Sequence, residues 1–380
     1  MSQSTPPLPD QMQAVQIVEH NEPYQLRTVP VPWANEGELG PHDLLVKVAA
    51  ASYCHTDGMV AQGVFGTQLP VTASHEGSGT VVRVGGDASG FRVGDRVMCG
   101  LPFHPCGECV DCRGGSGGDG RPDGEEGGGR QQYCPRTEGH VGVHRDGCLA
   151  EYVRVDARFT TKLPAGVSLL DAAPLACAGR TVWRAVQQTN LQKGQWLALV
   201  GSGGGLGHLG IQFATKALGL RVLAIDARDG ALDLSRELGA EAVLDARLGK
   251  REVVEWAQIA TGGHGADATV VLADSPGAAG LGCAVTRMHG TVVQVAQPEE
   301  VRVPFAELVF RDIRVRGSLL CSPGESRDML EAVAAHGVEV RMNVFHGLES
   351  IGELMEMVEG GRIQGKAVVV VDQGQIDAEG

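Results

Sequence analysis

Cys106, Cys109 and Cys112 follow one another at three-residue intervals, and Cys134 adds a fourth thiol after a longer gap. Thiolates in this pattern can converge on one tetrahedral ion, with each sulfur about 2.3 Å from the metal. Disulfides do not need such close spacing, so the comb predicts zinc. A second set is scattered along the chain as Cys54-His55-Thr56-Asp57, His75-Glu76 and Cys177. Taken singly, each reads as a core cysteine or a satisfied histidine. Together they offer two thiolates and one imidazole, leaving a fourth position for water, substrate or Glu76, which is the form of a catalytic zinc. A third feature is the run Gly201-Ser-Gly-Gly-Gly-Leu-Gly207. Glycines permit a tight turn and close backbone approach, and the N-terminus of the following helix favours a pyrophosphate.

The elements that must position these residues divide near Ala178. Before it the chain reads as mostly β, with runs such as Asp43–Tyr53, Thr80–Val84 and Arg92–Met98 separated by Gly, Pro and Asp turn signals. Beyond it, Trp196–Val200, Arg221–Ile225, Ala242–Leu244, Ala268–Leu272, Thr291–Val295 and Ile313–Val315 are short apolar runs alternating with helical lengths. That alternation predicts an α/β doubly wound parallel sheet. Helices follow at Arg327–Ala335 and Ile351–Glu359, then a last strand at Lys366–Val371. The glycine run falls between Trp196–Val200 and a helix starting near His208, with Leu209, Phe213 and Ala217 on one face. Gly201, Gly204, Gly205 and Gly207 are its expected nucleotide glycines. The strict register at Gly205, Gly207 and Gly210 begins too late after the strand. Asp226 ends the next strand, where a carboxylate accepts from a ribose 2′-hydroxyl and repels a 2′-phosphate, which favours NAD over NADP. Arg228 softens that preference.

Composition narrows the function classes. At 380 residues the chain is long enough for two domains with a core each. A formal charge of −14 argues against binding nucleic acid or an anionic membrane. Met1–Asp10 carries no basic-then-apolar signal, and no apolar run approaches the length of a membrane span. A cytoplasmic protein is the expectation, with its ten cysteines read as ligands or small core residues. Cys99, Cys148, Cys283 and Cys321 fall in the core class.

The strings Cys54-His-Thr-Asp, His75-Glu-Gly, Pro174-Leu-Ala-Cys177-Ala-Gly, the cysteine comb and Gly201–Gly207 resemble the zinc-dependent alcohol dehydrogenases of the medium-chain dehydrogenase/reductase superfamily, most like the fungal enzymes. The resemblance runs from about Gln13 to Asp372. It implies a GroES-like catalytic domain over residues 1–180, completed by 318–380, and a Rossmann NAD-binding domain over 181–317. It implies a catalytic zinc on Cys54, His75 and Cys177, with Glu76 as a close or alternating ligand and Asp57 fixing the His75 tautomer. Cys106, Cys109, Cys112 and Cys134 would hold a structural zinc, giving two ions per chain. Thr56 would accept the alcohol proton as hydride passes to NAD, interconverting a small-molecule alcohol with its aldehyde or ketone. His55 and Lys366 would approach the cofactor pyrophosphate, Thr181 would pack on the nicotinamide, and Leu206 and Val295 would join the nucleotide contacts. A homotetramer is implied as well.

The chain departs from that family in three places. Met59 stands where many relatives have a histidine that ends a proton relay. Arg180 replaces an apolar residue and is expected to point outward. The stretch between Cys112 and Cys134 holds nine glycines and seven charged residues, which predicts a mobile insertion over 113–132. Residues 59–65 and 101–104 are expected to shape the substrate pocket. Two other classes fit less well: a zinc-free quinone-reductase-like enzyme using NADPH, and a non-enzymatic protein that binds NAD and zinc. The full ligand set and Asp226 argue against the first, whereas Met59 lends slight support to the second.

Overall fold

Asp43–Tyr53 is buried along nearly its whole length, as expected of a central strand carrying apolar residues on both faces. A computed structural model describes residues 8–32, 39–114 and 129–379. In it Asp43–Tyr53 pairs antiparallel with Glu76–Val84 and Tyr152–Asp156 and, at its C-terminal end, with Lys366–Val370. Beyond these the sheet continues through Arg96–Met98 to Thr161–Lys162 on one side and to Met342–His346 on the other. A smaller sheet is made by Gln25–Pro30, Gln11–Ile17 and Val71–Thr72. The core between them is rich in Val, Leu and Ala, and includes Val46, Val48, Val81, Leu149 and Val369.

Register does the positioning. Ser52 lies opposite Glu76, after two register shifts that bend the strand pair. The next residues outward are therefore Cys54, past the strand end, and His75. Ala367 lies opposite Tyr53, so Lys366 comes level with Cys54 on the other flank. Three segments distant in sequence thus deliver their chemistry to one sheet end.

The second unit is a six-stranded, wholly parallel sheet. Its order is Ala242–Asp245, Arg221–Asp226, Trp196–Val200, Ala266–Val271, Thr286–Gln294, Arg314–Gly317. Strand order reverses beside Trp196–Val200, the switch point at which such sheets bind ligands. Helices Gly207–Gln212, Asp229–Glu237, Lys250–Ala260 and Ala278–Val285 connect the strands. The expected fold class, a β-rich domain plus a doubly wound parallel sheet, holds.

The chain divides into one unit reaching Cys177 and regaining Ser322–Glu331 and Met342 onward, and a second of Ala178–Cys321 with Ala332–Arg341. The expected boundaries differ at 178–180, 318–321 and 332–341, which group with the parallel sheet. The helix Pro323–His336 is longer than the expected Arg327–Ala335 and contains the boundary. Arg92–Met98 shortens to Arg96–Met98 because Asp95 turns back to accept from the Arg92 backbone. Most of the 113–132 insertion lies outside the described residues. Among those described, no helix is long and apolar enough to cross a membrane.

Candidate active site

Cys54 is the N-cap of the helix His55–Ala61, an extended residue whose own N–H is held by Asp57 Oδ2 at 2.8 Å. The other oxygen of Asp57 reaches His75 Nδ1 at 2.8 Å. One buried carboxylate thus ends the helix and orients the imidazole. Cys177 sits in a π-helical turn, Leu175–Gly179, directly after Pro174. Proline lacks an N–H and displaces the preceding carbonyl, a common origin of such bulges, which are frequent at functional sites. Ligand atoms of Cys54, His75, Glu76 and Cys177 lie within 4.8 Å of one another.

His75 is aimed by strain. Ser74 before it has a φ of +69°, uncommon for a residue with a side chain. Its hydroxyl bonds the carbonyls of Ser52, at 2.9 Å, and Glu76, at 3.0 Å. Gly142 and Gly147 back this turn. A Cβ on Gly142 would stand 2.3 Å from the Ser74 carbonyl, and one on Gly147 2.1 Å from the same oxygen. Sequence reasoning passed over Ser74 and both glycines, because only a distant loop folding against Ser74 makes them necessary.

A zinc ion fits this donor set. His75 Nε2 is buried with no hydrogen-bond partner, while Nδ1 is occupied by Asp57, the arrangement of a metal-ligating imidazole. Without metal the cluster carries protons instead. A hydrogen bond from the Cys177 thiol holds Cys54 well below the ordinary thiol range against the effect of burial, with Lys366 and His75 adding to it. The same bond, with burial, raises Cys177. Burial works against charge on His75, yet Asp57 and the Cys177 sulfur raise it well above the usual imidazole value. Glu76 is pushed up to about 7 by burial, although Lys366 opposes the rise.

Lys366 has a partner that the sequence did not show. Its Nζ pairs with Glu76 Oε2 at 2.6 Å, both side chains being almost wholly buried. It was expected at the cofactor pyrophosphate. Arg180 was expected to point outward, but it is the largest fully buried side chain, and the Cys321 thiol donates to its carbonyl. Cys99, Cys148, Cys283 and Cys321 are buried. The 101–104 stretch turns inward. Phe103 is buried and stacks on His104, which pairs with Asp43 at 2.6 Å and Glu138 at 3.1 Å. Of the 59–65 stretch, Val60 is core and Val64 is exposed. His55 is exposed and lines a 750 Å³ cavity with Tyr24, Tyr53 and Gln62.

The cysteine comb closes on itself. Cys106 and Cys112 sulfurs are 3.9 Å apart, as are those of Cys109 and Cys134. Four sulfurs at about 2.3 Å from one ion would be about 3.8 Å apart. Backbone N–H groups of Cys109 and Cys112 point at the preceding thiols at 3.4 Å, so the turns that set the spacing also solvate the sulfurs. Four thiols within this geometry also fit zinc.

In the nucleotide loop, Gly201 has a φ of +91°, as the tight turn after a strand requires. A Cβ on Gly207 would lie 2.3 Å from the Gly201 carbonyl. Gly203, which the sequence reading left out, is held as closely: a Cβ there would meet the Ala231 carbonyl at 2.2 Å. Gly204, Gly205 and Leu206 complete the turn between strand and helix. Asp226 ends its strand, accepts from Gly203 N at 3.1 Å and Ala227 N at 2.8 Å, and pairs with Arg228. Val295 follows Thr286–Gln294, with its N–H on the Val271 carbonyl. Thr181 is buried in the helix Arg180–Gln187.

A buried imidazole between two thiols at the end of a β-rich sheet, and a glycine turn on a parallel sheet, together define a metal- and nucleotide-dependent dehydrogenase architecture. Family comparison agrees. Residues 40–165 match the alcohol dehydrogenase GroES-like domain, and residues 205–335 match the zinc-binding dehydrogenase domain. The chain is 33% identical over 366 residues to an alcohol dehydrogenase of Geobacillus stearothermophilus, covering 95% of this chain and all of that one. The solved alcohol dehydrogenase of the archaeon Aeropyrum pernix superposes with a TM-score of 0.80 at 30% identity, covering 94% of this chain and 99% of that one. A solved NAD-dependent alcohol dehydrogenase gives 0.81 at 27% identity, covering 95% and 100%. The chain belongs to the zinc-binding alcohol dehydrogenase family of the medium-chain dehydrogenase/reductase superfamily.

Proposed function

We propose that this chain transfers hydride between a primary or secondary alcohol and NAD, interconverting the alcohol with its aldehyde or ketone. The observation that carries the reading is the unpartnered Nε2 of buried His75, set among the Cys54 and Cys177 sulfurs. Cys54, His75 and Cys177 would hold the catalytic zinc, with Glu76 within reach of the same position. Zinc bound there supplies a Lewis acid beside the reacting oxygen. Asp57 fixes the His75 tautomer. Thr56, in the first turn of the helix that Cys54 caps, is the acceptor of the alcohol proton. Met59 cannot pass that proton on, so it leaves by a route the Met59 side chain does not serve. Cys106, Cys109, Cys112 and Cys134 would saturate a second zinc and leave no place for substrate, which makes that ion structural.

NAD is the cofactor of this reading, held by Gly201, Gly204, Gly205, Leu206 and Gly207, with Asp226 at the ribose and His55, Thr181 and Val295 nearby. Asp226 at the end of its strand supports NAD over NADP, and Arg228, paired with it at 3.4 Å, softens that preference. We assign the chain to the fungal type on its Cys54–Asp57 and Gly201–Gly207 strings, and to the cytoplasm on the reading of its ten cysteines as metal ligands or core residues. A homo-oligomer, a tetramer by family resemblance, is supported by the exposed edge strand Arg314–Gly317 and the exposed Phe305, Val309 and Phe310 near it in sequence.

Zinc content measured beside initial rates with NAD and NADP, across short, branched and aromatic alcohols, tests the reading. Two zinc ions per chain and NAD-dependent turnover are expected. A metal-free active protein, or a lower Michaelis constant for NADP than for NAD, refutes it.

A further inference from the structure

The helix Gly207–Gln212 and the π-helical turn Phe213–Ala217 that continues it carry His208, Gln212 and Lys216 at four-residue spacing. A polar row of this kind ordinarily meets water. Here His208 and Gln212 are fully buried. The Arg341 N–H donates to His208 Nε2 at 3.2 Å, so Nε2 is the unprotonated nitrogen, and Nδ1–H donates to the Gly204 carbonyl at 3.1 Å. Gln212 forms a reciprocal pair with Glu339: its Nε2 donates to the carbonyl at 2.8 Å, and its Oε1 accepts from the N–H at 3.0 Å. Lys216 Nζ donates to the Gly337 carbonyl at 2.8 Å and to Gln212 Oε1 at 3.0 Å. Three side chains one turn apart therefore bind the main chain of alternate residues, 337, 339 and 341.

Segment 337–341 is the last stretch of the parallel-sheet unit. Met342 follows directly and opens the strand paired with Lys366–Val370, whose first residue holds Glu76. The upper end of the row grips Gly204, in the turn that approaches the pyrophosphate.

We infer that His208 is a positioning residue of the dinucleotide site. By fixing the Gly204 carbonyl it sets the loop that receives the pyrophosphate, and through Arg341 it couples occupancy of that loop to segment 337–341. The inference rests on the reading of Gly201–Gly207 as an NAD site. Coupling of this kind is reciprocal: what tightens the segment tightens cofactor binding by the same factor.

The test is calorimetric NAD binding together with hydrogen–deuterium exchange of the intact zinc-loaded protein, with and without NAD. In the wild type NAD slows exchange at the Glu339 and Arg341 amides. His208→Ala weakens NAD binding about tenfold, the size of one buried hydrogen bond, raises the Michaelis constant for NAD more than that for the alcohol, and abolishes the NAD response at Arg341. His208→Asn, whose side-chain amide takes the place of Nδ1–H, recovers most NAD affinity but not that response. His208→Asn and Lys216→Met carry the test if the alanine variant does not fold. Lys216→Met then speeds exchange at Glu339 and, by the same reciprocity, weakens NAD binding, by less than His208→Ala does. A wild type that binds no NAD overturns the cofactor reading and this inference with it. Wild-type NAD binding that His208→Ala or His208→Asn leaves within twofold, with the exchange response intact, overturns the inference alone.

Discussion

Replacing Lys366 by Met removes the counter-charge of Glu76 without removing its volume. Both groups are buried, at 4% and 0% side-chain exposure, and 2.6 Å apart. Breaking a buried pair from one side costs about 3–5 kcal/mol, because the remaining charge has lost its solvent and its partner. Glu76 can escape part of that cost by binding a proton, and its pKa of about 7 with Lys366 present shows how near it already is. A carboxyl raised in the folded state from an ordinary 4.5 to about 7 makes the folded protein bind more protons than the unfolded one between those values. Zinc-free stability then falls as pH rises through that window, by about 3 kcal/mol in total, and levels off above it. Lys366 does not offset this across the window: burial favours its neutral form, but Glu76 outweighs burial and keeps it charged.

Urea unfolding of zinc-free protein between pH 5 and pH 9 measures both effects. Lys366→Met should be nearly as stable as wild type at the acid end and lose several kcal/mol at the alkaline end, because the upper edge of the window moves up. Lys366→Arg should lose little, since a guanidinium still pairs with the carboxylate. Lys366→Met with Glu76→Gln should recover most of the loss. A Lys366→Met protein within about 1 kcal/mol of wild type at the alkaline end would refute the argument. So would a double variant no more stable than the single one.

Asp57→Asn keeps the shape but lets an amide meet His75 Nδ1; zinc affinity at the Cys54 site should fall about 10–100-fold by competition with a chelator, the usual effect of losing a carboxylate behind a ligating histidine. Gly142→Ala drives a Cβ into the Ser74–His75 backbone, so the catalytic zinc should be lost while the cysteine comb keeps its own; unchanged zinc content would show that the turn yields. Cys54→Ser and Cys177→Ser should each abolish turnover and largely spare NAD binding, as read by cofactor fluorescence titration. Cys134→Ser should lower the unfolding midpoint with little change in kcat per folded molecule, because that thiol belongs to the other metal group.

What could be read ahead of the structure was whatever local pattern decides. Cys-x2-Cys-x2-Cys places three thiols by turn geometry alone, and Gly201–Gly207 is bounded by a strand and a helix that periodicity reveals. Gln11–Ile17 alternates polar and apolar residues and could have been found; Met342–His346 alternates weakly, with only Phe345 buried. The rest depended on register between distant segments. Lys366 reads only as a pyrophosphate-side cation until Ala367 is set opposite Tyr53 and Ser52 opposite Glu76, which brings it level with Cys54 and Glu76. Gly142 and Gly147 look like ordinary turn glycines until the Ser74 carbonyl fills the space a side chain would take.

Arg180, His208 and Gln212 make the same point from the polar side. A charged or amide side chain reads as surface because burial is costly unless every donor and acceptor is matched. His208 and Gln212 each have a main-chain partner over a hundred residues away in sequence. Binary patterning cannot see a main chain, since every residue presents the same N–H and C=O whatever its side chain. The sequence reading took up only the apolar face of the nucleotide helix and left its polar stripe, whose partner is the segment that ends the unit, without a role. Residues whose partners lie this far along the chain are the ones that tie separate parts of it together, which is why the row through His208 is where coupling between cofactor and connecting segment should be sought.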